Sequence, residues 1–278
     1  MFKVTLSLFL LLIFQVADAQ STQVTPKKTS SLKLKLTYRL SYQPDSTDSN
    51  KILKEDMLLF IGDDFSKFQS LNRYLFDSLV ADVESKGGIK HLSKVGFNAS
   101  TLPKSGFKYE IYKNYPKGSI TVIDKIEISD YAYSEPLNLF RWQITNEKAT
   151  IAGYACQKAT TVFGGRQYVA WFTNEVPVSD GPYKFNGLPG LIVKVNDTRN
   201  HYVFELSSLK KATSTESIAF PNKQLIGTSK KEFAKGAKDF NENIAARLGD
   251  MVTLNDPDAL KRAEQNAKKK NNPIELIN

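Results

Sequence analysis

The chain has 278 residues, a formal net charge of +9 and 41% hydrophobic residues, with Cys156 as its single cysteine. This composition indicates a well-filled core in one large or two small domains, and a single cysteine excludes an internal disulfide. The basic residues concentrate in residues 24–39 and 209–278. A nucleic-acid-binding domain more commonly carries its basic residues on the surface of the folded domain than at its ends. We therefore predict no nucleic-acid partner. The basic ends either stay solvated or are attracted to anionic envelope surfaces.

The first residues have the pattern of a secretory signal peptide. Lys3 precedes a mostly apolar run, Val4–Val16, and Ala17-Asp18-Ala19 is a small-x-small cleavage site. The run is too short for a membrane-spanning helix, and no second run of about 18 apolar residues occurs in the sequence. We therefore predict that residues 1–19 are cleaved after Ala19 and that the mature chain does not span a membrane. The alternative is a buried N-terminal helix.

The N-terminal half then changes from strand to helix periodicity. Residues 20–30 are polar and predict a disordered linker. Alternating apolar residues over 32–42 predict a strand with one buried face, and residues 56–61 predict its partner. Apolar residues every four positions from Leu71 to Val83 predict a helix, which Gly87-Gly88 ends.

The remainder of the chain is dominated by strand patterns. Residues 107–206 contain short strands joined by turn residues, with a hairpin signal at Gly164-Gly165, which indicates an antiparallel sheet. Residues 230–248 predict a helix with one apolar side. The predicted fold class is α+β and β-dominated: a curved, twisted antiparallel sheet with one main helix packed on it and a helical C-terminal extension. We assign one domain to residues 31–248, and a polar, partly helical or disordered tail to residues 249–278.

Enzyme signatures are absent from the sequence. It contains no nucleophile elbow, phosphate loop, dinucleotide fingerprint or zinc-binding H-E-x-x-H. Of the two histidines, His91 lies in a loop segment and His201 at a strand end. We interpret Cys156 as a small apolar residue within a strand. The alternative is a catalytic or metal site formed with His201, Glu175 or Asp180. We predict no catalytic residue, no metal and no cofactor, and a hydrolase or metal-dependent enzyme is the least favoured alternative.

The stretch from Asp180 to Asp197 is rich in glycine and proline. Leu188-Pro189-Gly190-Leu191 predicts a type II turn, because proline presets φ at the second position and glycine allows positive φ at the third. Asp180-Gly181-Pro182 and Asn186-Gly187 predict two further corners. Three corners fold the segment compactly, so its apolar side chains either pack on the sheet or line a pocket. We expect them to be mostly buried.

This stretch resembles the GLPGLI family, whose name is the string found here at Gly187–Ile192. Further matching segments are 151–159, 165–166, 170–173, 175–177, 181–185, 66–70, 142–144 and 272–276. The resemblance covers nearly the whole mature chain. It implies a protein exported across the inner membrane of a Bacteroidetes-type bacterium, located in the periplasm or at the envelope. The family is of uncharacterised function and supplies no catalytic residues.

Two kinds of function remain open. The favoured one is a non-enzymatic protein that binds an apolar or amphipathic ligand, such as an envelope lipid, or an outer-membrane partner protein. It predicts an apolar groove in a curved sheet that faces a helix, which is an analogy at the level of fold. The alternative is a structural or assembly component that docks on an outer-membrane machine through the basic ends. The predicted ligand-binding residues are Arg166, Trp171, Tyr183, Phe185 and Leu188.

Overall fold

The structure is a computed structural model that describes residues 22–24, 28–88, 102–244 and 258–276. The predicted signal peptide and much of the loop after the first helix lie outside these ranges. The strands are β1 Thr22–Val24, β2 Thr29–Tyr42, β3 Leu53–Gly62, β4 Ser66–Ser70, β5 Glu110–Lys113, β6 Ser119–Ile126, β7 Ser129–Pro136, β8 Gln143–Ile151, β9 Tyr154–Phe163, β10 Arg166–Thr173, β11 Leu191–Asp197, β12 Tyr202–Lys211, β13 Ser217–Ala219 and β14 Gln224–Gly227. The helices are α1 Leu71–Ser85, α2 Lys230–Glu242 and α3 Ala259–Lys268.

One large open sheet organises the described residues. Its order is β1-β14-β7-β6-β5-β4-β3-β2-β12-β11-β10-β9-β8, and β13 pairs with β2 outside this path. Strands account for 46% of the chain and helices for 16%, so the β-dominated class is confirmed. The predicted antiparallel sheet is mixed instead, because β14 runs parallel to β7. The chain crosses from β12 in the middle of the sheet to β14 near its other edge. Because β7 and β14 are not joined by a hairpin, their pairing is not restricted to the antiparallel direction.

The main core lies on one face of the sheet. Alternation in β2 places Leu36, Tyr38 and Leu40 on that face, where all three are fully buried. Side chains of β2–β6 and of β9–β12 meet there in one cluster. The Tyr38 hydroxyl donates to the Ile192 carbonyl at 2.7 Å, which joins the two halves of the sheet. A smaller cluster around Leu58 covers the opposite face, so β3 is buried on both sides.

Helix α1 forms where the periodicity predicts it but does not pack as the main helix of the fold. The Ser70 side chain caps its first turn, and the Tyr74 ring packs on Phe60 with centroids 5.6 Å apart. Beyond that turn the helix leaves the sheet. No α1 residue is buried by any part of the chain that the structure describes, and Leu75 and Leu79 are exposed. A four-residue spacing predicts a helix, but not what the apolar side contacts.

Described residues near both ends of the chain belong to regular structure or to the core, although these parts of the sequence are polar. Residues 22–24 pair with β14 inside the predicted linker. Helix α2 begins at Ser229 with a capping box, and α3 packs against it. Residues 271–276, here called the C-terminal segment, then enter the body of the protein, where Asn272 and Glu275 are buried. The predicted polar tail therefore ends in a buried segment, whose polar groups have partners within the fold. No helix among the described residues is long and apolar enough to cross a membrane.

The corner at Gly190 differs from the predicted type II turn. Such a turn would bring the Leu191 amide to the Leu188 carbonyl, but that amide donates to the Val176 carbonyl at 3.1 Å. Glycine is needed at position 190 for another reason. A Cβ there would lie 2.1 Å from the carbonyl oxygen of Thr173, so only glycine allows the two backbone segments to approach.

Candidate ligand-binding cavity

Arg166, a predicted ligand-binding residue at the start of β10, contacts the C-terminal segment. Its buried guanidinium donates to the Ile274 carbonyl at 3.1 Å, to the Asn272 side chain at 2.6 Å and to the Pro273 carbonyl at 2.7 Å. The same group pairs with the buried Asp197 at 3.2 Å. A planar fork of donors suits this task, because it can satisfy several fixed acceptors at once. We call this group the Arg166 cluster.

Lys184 and Lys230 form a second buried ionic group with Glu135 and Glu275. Lys184 has no exposed surface, and its Nζ contacts both carboxylates, with Glu275 at 2.6 Å. Lys230 also contacts both, with Glu135 at 2.9 Å. Burial alone would raise the pKa of Glu275, but Lys184, Lys230 and the hydroxyl of Tyr183 together hold it below its ordinary value. Two cations face two anions here, so the group is internally neutral.

A cavity of about 910 Å³ opens beside this ionic group. Its floor is formed by Tyr109, just before β5, and by the main-core face of β6 and β7. The helices α2 and α3 and the C-terminal segment cover it, so we call it the helix-roofed cavity. Its lining combines aromatic and polar side chains: Tyr109, Val122, Asp124, Tyr133, Tyr183, Lys230, Phe233, Ala234, Ala237, Lys238, Asn241, Glu242, Glu264, Ala267, Lys268, Lys270, Asn271, Pro273, Ile274, Glu275 and Leu276. Phe233 of α2 packs on the Tyr133 ring with centroids 5.7 Å apart, which places the helix over the cavity.

Asp124 is the one carboxylate on the floor of this cavity. It follows Val122 on the same face of β6, since side chains alternate along a strand. The Lys125 amide donates to it at 2.7 Å, and none of the described cations lies within ion-pair distance of it. Burial raises its pKa to about 6, against a smaller opposing effect of that amide and of the more distant Lys108 and Arg73. Asp124 is thus a partly buried acid that has no counter-ion among the described residues.

Tyr109 adds a second polar group without a partner. Its hydroxyl is buried and makes no hydrogen bond with the part of the chain that the structure describes. The ring packs edge-on against Tyr183, with centroids 5.6 Å apart. A buried hydroxyl without a partner costs about 1–3 kcal/mol, so in native proteins such groups call for an explanation. Tyr109 lines the helix-roofed cavity.

The other predicted ligand-binding residues are placed in different environments. Tyr183 lines the helix-roofed cavity and donates its hydroxyl to Glu275. Phe185 and Leu188 are buried in the main core, as expected for most of this stretch. Trp171 is half-buried, on the opposite face of β10 from Ala170. The predicted residues therefore do not form one apolar groove, and only Tyr183 lines the helix-roofed cavity among the five.

The residues weighed for catalysis lie in separate environments. Burial raises the pKa of the Cys156 thiol, which disfavours a nucleophilic thiolate. Asp180 pairs with Lys113, and Glu175 accepts a hydrogen bond from the Ala155 amide at 2.8 Å. His201 Nδ1 lies 3.2 Å from the Arg166 guanidinium. His91 lies outside the described residues, and within them no three His, Cys, Asp or Glu side chains gather as metal ligands.

A second, more open cavity of about 810 Å³ lies beside Gly187. The Lys113–Asp180 pair is part of its wall, and burial lowers the pKa of Lys113. Ser66 Oγ is buried there without a hydrogen-bond partner among the described residues. Of the predicted apolar ligand-binding residues in the described chain, none lines this cavity. Its lining mixes polar side chains with apolar ones such as Phe65 and Phe140.

Comparisons with known proteins give a short family match and a likeness in fold. Residues 165–194 match a family described as a protein of unknown function (Porph_ging), over β10, the following loop and the start of β11. No curated protein matches the chain. Two structures of PNGF-II, in space groups C2 and P21, are similar over 75% of this chain with 16% identity and TM-scores of 0.51 and 0.50. The chain spans only 33% of those PNGF-II chains, and the likeness shows the fold alone.

Proposed function

We propose that this protein is an exported, non-enzymatic envelope protein of the GLPGLI type that binds a small amphipathic ligand in the helix-roofed cavity. The observation that carries the proposal is the pair of polar groups on the cavity floor, Asp124 without a counter-ion and the buried Tyr109 hydroxyl without a hydrogen-bond partner among the described residues. Ligand sites are concave and mostly apolar, with a few polar groups that orient the ligand. The cavity has this character, and its volume of about 910 Å³ suits a ligand of drug-like or single-chain lipid size.

The attachment of α2 supplies a route for entry. No residue of this helix is buried in the described structure, and it is joined to the sheet through Phe233 and Lys230. An element with few buried contacts opens at low free-energy cost. We infer that α2 moves away from β6 and β7 to admit the ligand, and closes on it through Phe233.

Filling the cavity tests the proposal. Ala234→Trp places a large ring under α2, since Ala234 lines the cavity. Ala81→Trp is the matched control, because Ala81 is exposed on α1. Native mass spectrometry of gently purified protein, and displacement of a fluorescent fatty amphiphile, should show a ligand in the parent and in Ala81→Trp. Ala234→Trp should lose at least tenfold in affinity. If all three proteins bind equally, or none binds, the cavity is not the site.

Export has its own test. When the full chain is produced in a Gram-negative host, the mature protein should be recovered from the periplasmic or envelope fraction with Gln20 as its first residue. That residue follows the predicted cleavage site, Ala17-Asp18-Ala19. Recovery of uncleaved protein from the cytosol would contradict this part of the proposal.

A docking role has one observation in its favour. Helix α1 exposes Leu75, Leu79 and Val80, and contiguous exposed apolar side chains commonly mark a contact surface. The second candidate function is therefore assembly with an outer-membrane partner through α1. Leu75→Glu with Leu79→Glu should leave ligand binding and unfolding unchanged and abolish co-purification of that partner from the native envelope. Unchanged co-purification would remove α1 from consideration.

A further inference from the structure

We propose that the ligand of the helix-roofed cavity carries a cationic head, an amine or a quaternary ammonium group, that binds between Asp124 and the aromatic floor. This inference rests on the proposed function and names the class of ligand. The helix-roofed cavity offers an acidic group with no counter-ion on an aromatic wall. A cationic amphiphile supplies both missing elements, a positive charge for the carboxylate and an apolar chain for the space below α2.

Asp124 of β6 lies on the cavity floor beside tyrosine residues of β7. Tyr131 is its partner in the β6–β7 ladder, and Val122 pairs with Tyr133, so the carboxylate stands among tyrosines on one face of the sheet. Asp124, Tyr109 and Tyr133 line the same cavity, and the Asp124 charge adds to the larger effect of burial in raising the pKa of both tyrosines. Desolvating a carboxylate without a cation is costly, and a bound cation removes that cost.

The rings of Tyr133 and Tyr183 form an aromatic wall of the cavity. The Nζ of Lys184 lies 5.3 Å from the ring centroid of Tyr133 and 5.4 Å from that of Tyr183. Both distances are within the range of cation–π attraction, so the same wall already stabilises one buried ammonium group. Tyr109 and Phe233 extend it across the cavity. An ammonium head beside Asp124 would therefore meet rings of the type that recognise such groups.

The charges around the cavity disfavour an anionic head. Lys230 lines the cavity, and two glutamates already neutralise it. On the roof, Lys238 is mostly exposed and pairs with Glu242 at 3.8 Å, and Lys268 and Lys270 are exposed. An anionic head on the floor would face the Asp124 carboxylate without a free cation among the described floor residues. Like charges in a buried site repel strongly, so the floor selects against anions.

Matched amphiphiles test the inference. Decyltrimethylammonium, decanol and decyl sulfate share one chain length, and each is titrated calorimetrically below its micelle concentration into the full mature protein at about pH 8. We expect the cationic probe to bind at least tenfold more tightly than the neutral one, and the anionic probe most weakly. Asp124→Asn should remove the preference for the cation while the neutral probe binds as before. Asp82→Asn, on the exposed side of α1, is the matched control and should keep the preference.

The outcomes separate the two proposals. Equal binding of the cationic and neutral probes to the parent, or a preference that survives in Asp124→Asn, overturns the cationic head and leaves the cavity as an amphiphile site. Binding of none of the three probes overturns both. The circular dichroism and thermal midpoint of each variant show whether it is folded. Because Asn is nearly the same size as Asp, loss of binding to all probes with an intact fold would also contradict the inference.

Discussion

The Arg166 cluster and the floor of the helix-roofed cavity both contain charged groups and tyrosine hydroxyls. They differ in whether these groups have partners among the described residues. In the Arg166 cluster the guanidinium has five hydrogen-bond acceptors. The hydroxyls of Tyr168 and Tyr202 donate to carbonyls of the C-terminal segment at 3.0 and 2.8 Å. On the cavity floor, Asp124 has no cation and the Tyr109 hydroxyl has no partner among the described residues. The same kinds of group are therefore fully satisfied in one region and left open in the other.

The difference separates groups that stabilise the fold from groups that the proposed ligand would contact. A buried polar group with partners contributes modestly to stability, but removal of one partner leaves the other buried and unpaired. A buried group without partners lowers the stability of the free protein, so its removal should be neutral or stabilising. Substitutions in the two regions should thus change the free energy of unfolding in opposite directions.

The largest effect is expected for Arg166→Ala. It leaves Asp197 buried without its cation and removes donors from three groups of the C-terminal segment. Breaking a buried ion pair costs about 3–5 kcal/mol, which urea unfolding would show as a lower midpoint. Arg39→Ala is the control, because the Arg39–Asp56 pair is exposed and such pairs contribute about 0–1 kcal/mol. Similar losses in the two variants would mean that the Arg166 cluster does not hold the segment.

Asp124→Asn should have the next largest effect, in the opposite direction. The pKa of Asp124 is raised from 3.8 to about 6 in the folded protein. Between these values the folded protein binds more protons than the unfolded chain, so the free energy of unfolding falls as the pH rises. Above about pH 7 the buried charge costs up to about 3 kcal/mol, by the value of 1.36 kcal/mol per pKa unit. We expect Asp124→Asn to be more stable than the parent at about pH 8 by up to this amount.

The pH dependence distinguishes this cause from better packing. Near pH 4 the carboxyl is largely protonated in the folded protein, so the gain from Asn should disappear there. Lys125, Asp130, Lys108, Arg73 and the neighbouring tyrosines stay in place in both proteins, so their effects cancel in the difference. Parallel thermal unfolding curves of parent and variant at both pH values provide the measurement. If the stability difference between Asp124→Asn and the parent is the same at both pH values, ionisation of Asp124 does not destabilise the folded protein.

The sequence predicts the local elements better than their long-range partners. Alternation in β2, the Gly164-Gly165 hairpin and the periodicity of α1 follow from neighbouring residues, and all three are found. The parallel β7–β14 pair and the C-terminal segment depend on contacts between distant parts of the chain. Lys184 and Glu275 are separated by 91 residues, and no local pattern brings them together.

The sequence signal for the candidate site is weaker, and it lies in the alternation of buried residues along the strands. Asp124 continues the buried alternation of Ile120 and Val122 in β6, and Tyr109 continues that of Ile111 in β5. A carboxylate at a position that alternation assigns to the core is unusual, and such residues are functional candidates. The glycine- and proline-rich stretch has a structural explanation, since Gly190 allows the close approach of the Thr173 carbonyl.

The smallest and most selective comparison uses two tyrosine hydroxyls. Tyr168→Phe removes the donor to the Ile274 carbonyl, a bond of 3.0 Å in the Arg166 cluster, and should cost about 1–2 kcal/mol. Tyr109→Phe removes a buried hydroxyl that has no partner in the described structure, so it should be neutral or stabilising by up to about 1 kcal/mol. Both substitutions delete the same atom from a buried ring, and urea unfolding of the two variants isolates the effect of the partner. If Tyr109→Phe costs as much as Tyr168→Phe, the Tyr109 hydroxyl is satisfied in solution, and the cavity floor loses one of its two open groups.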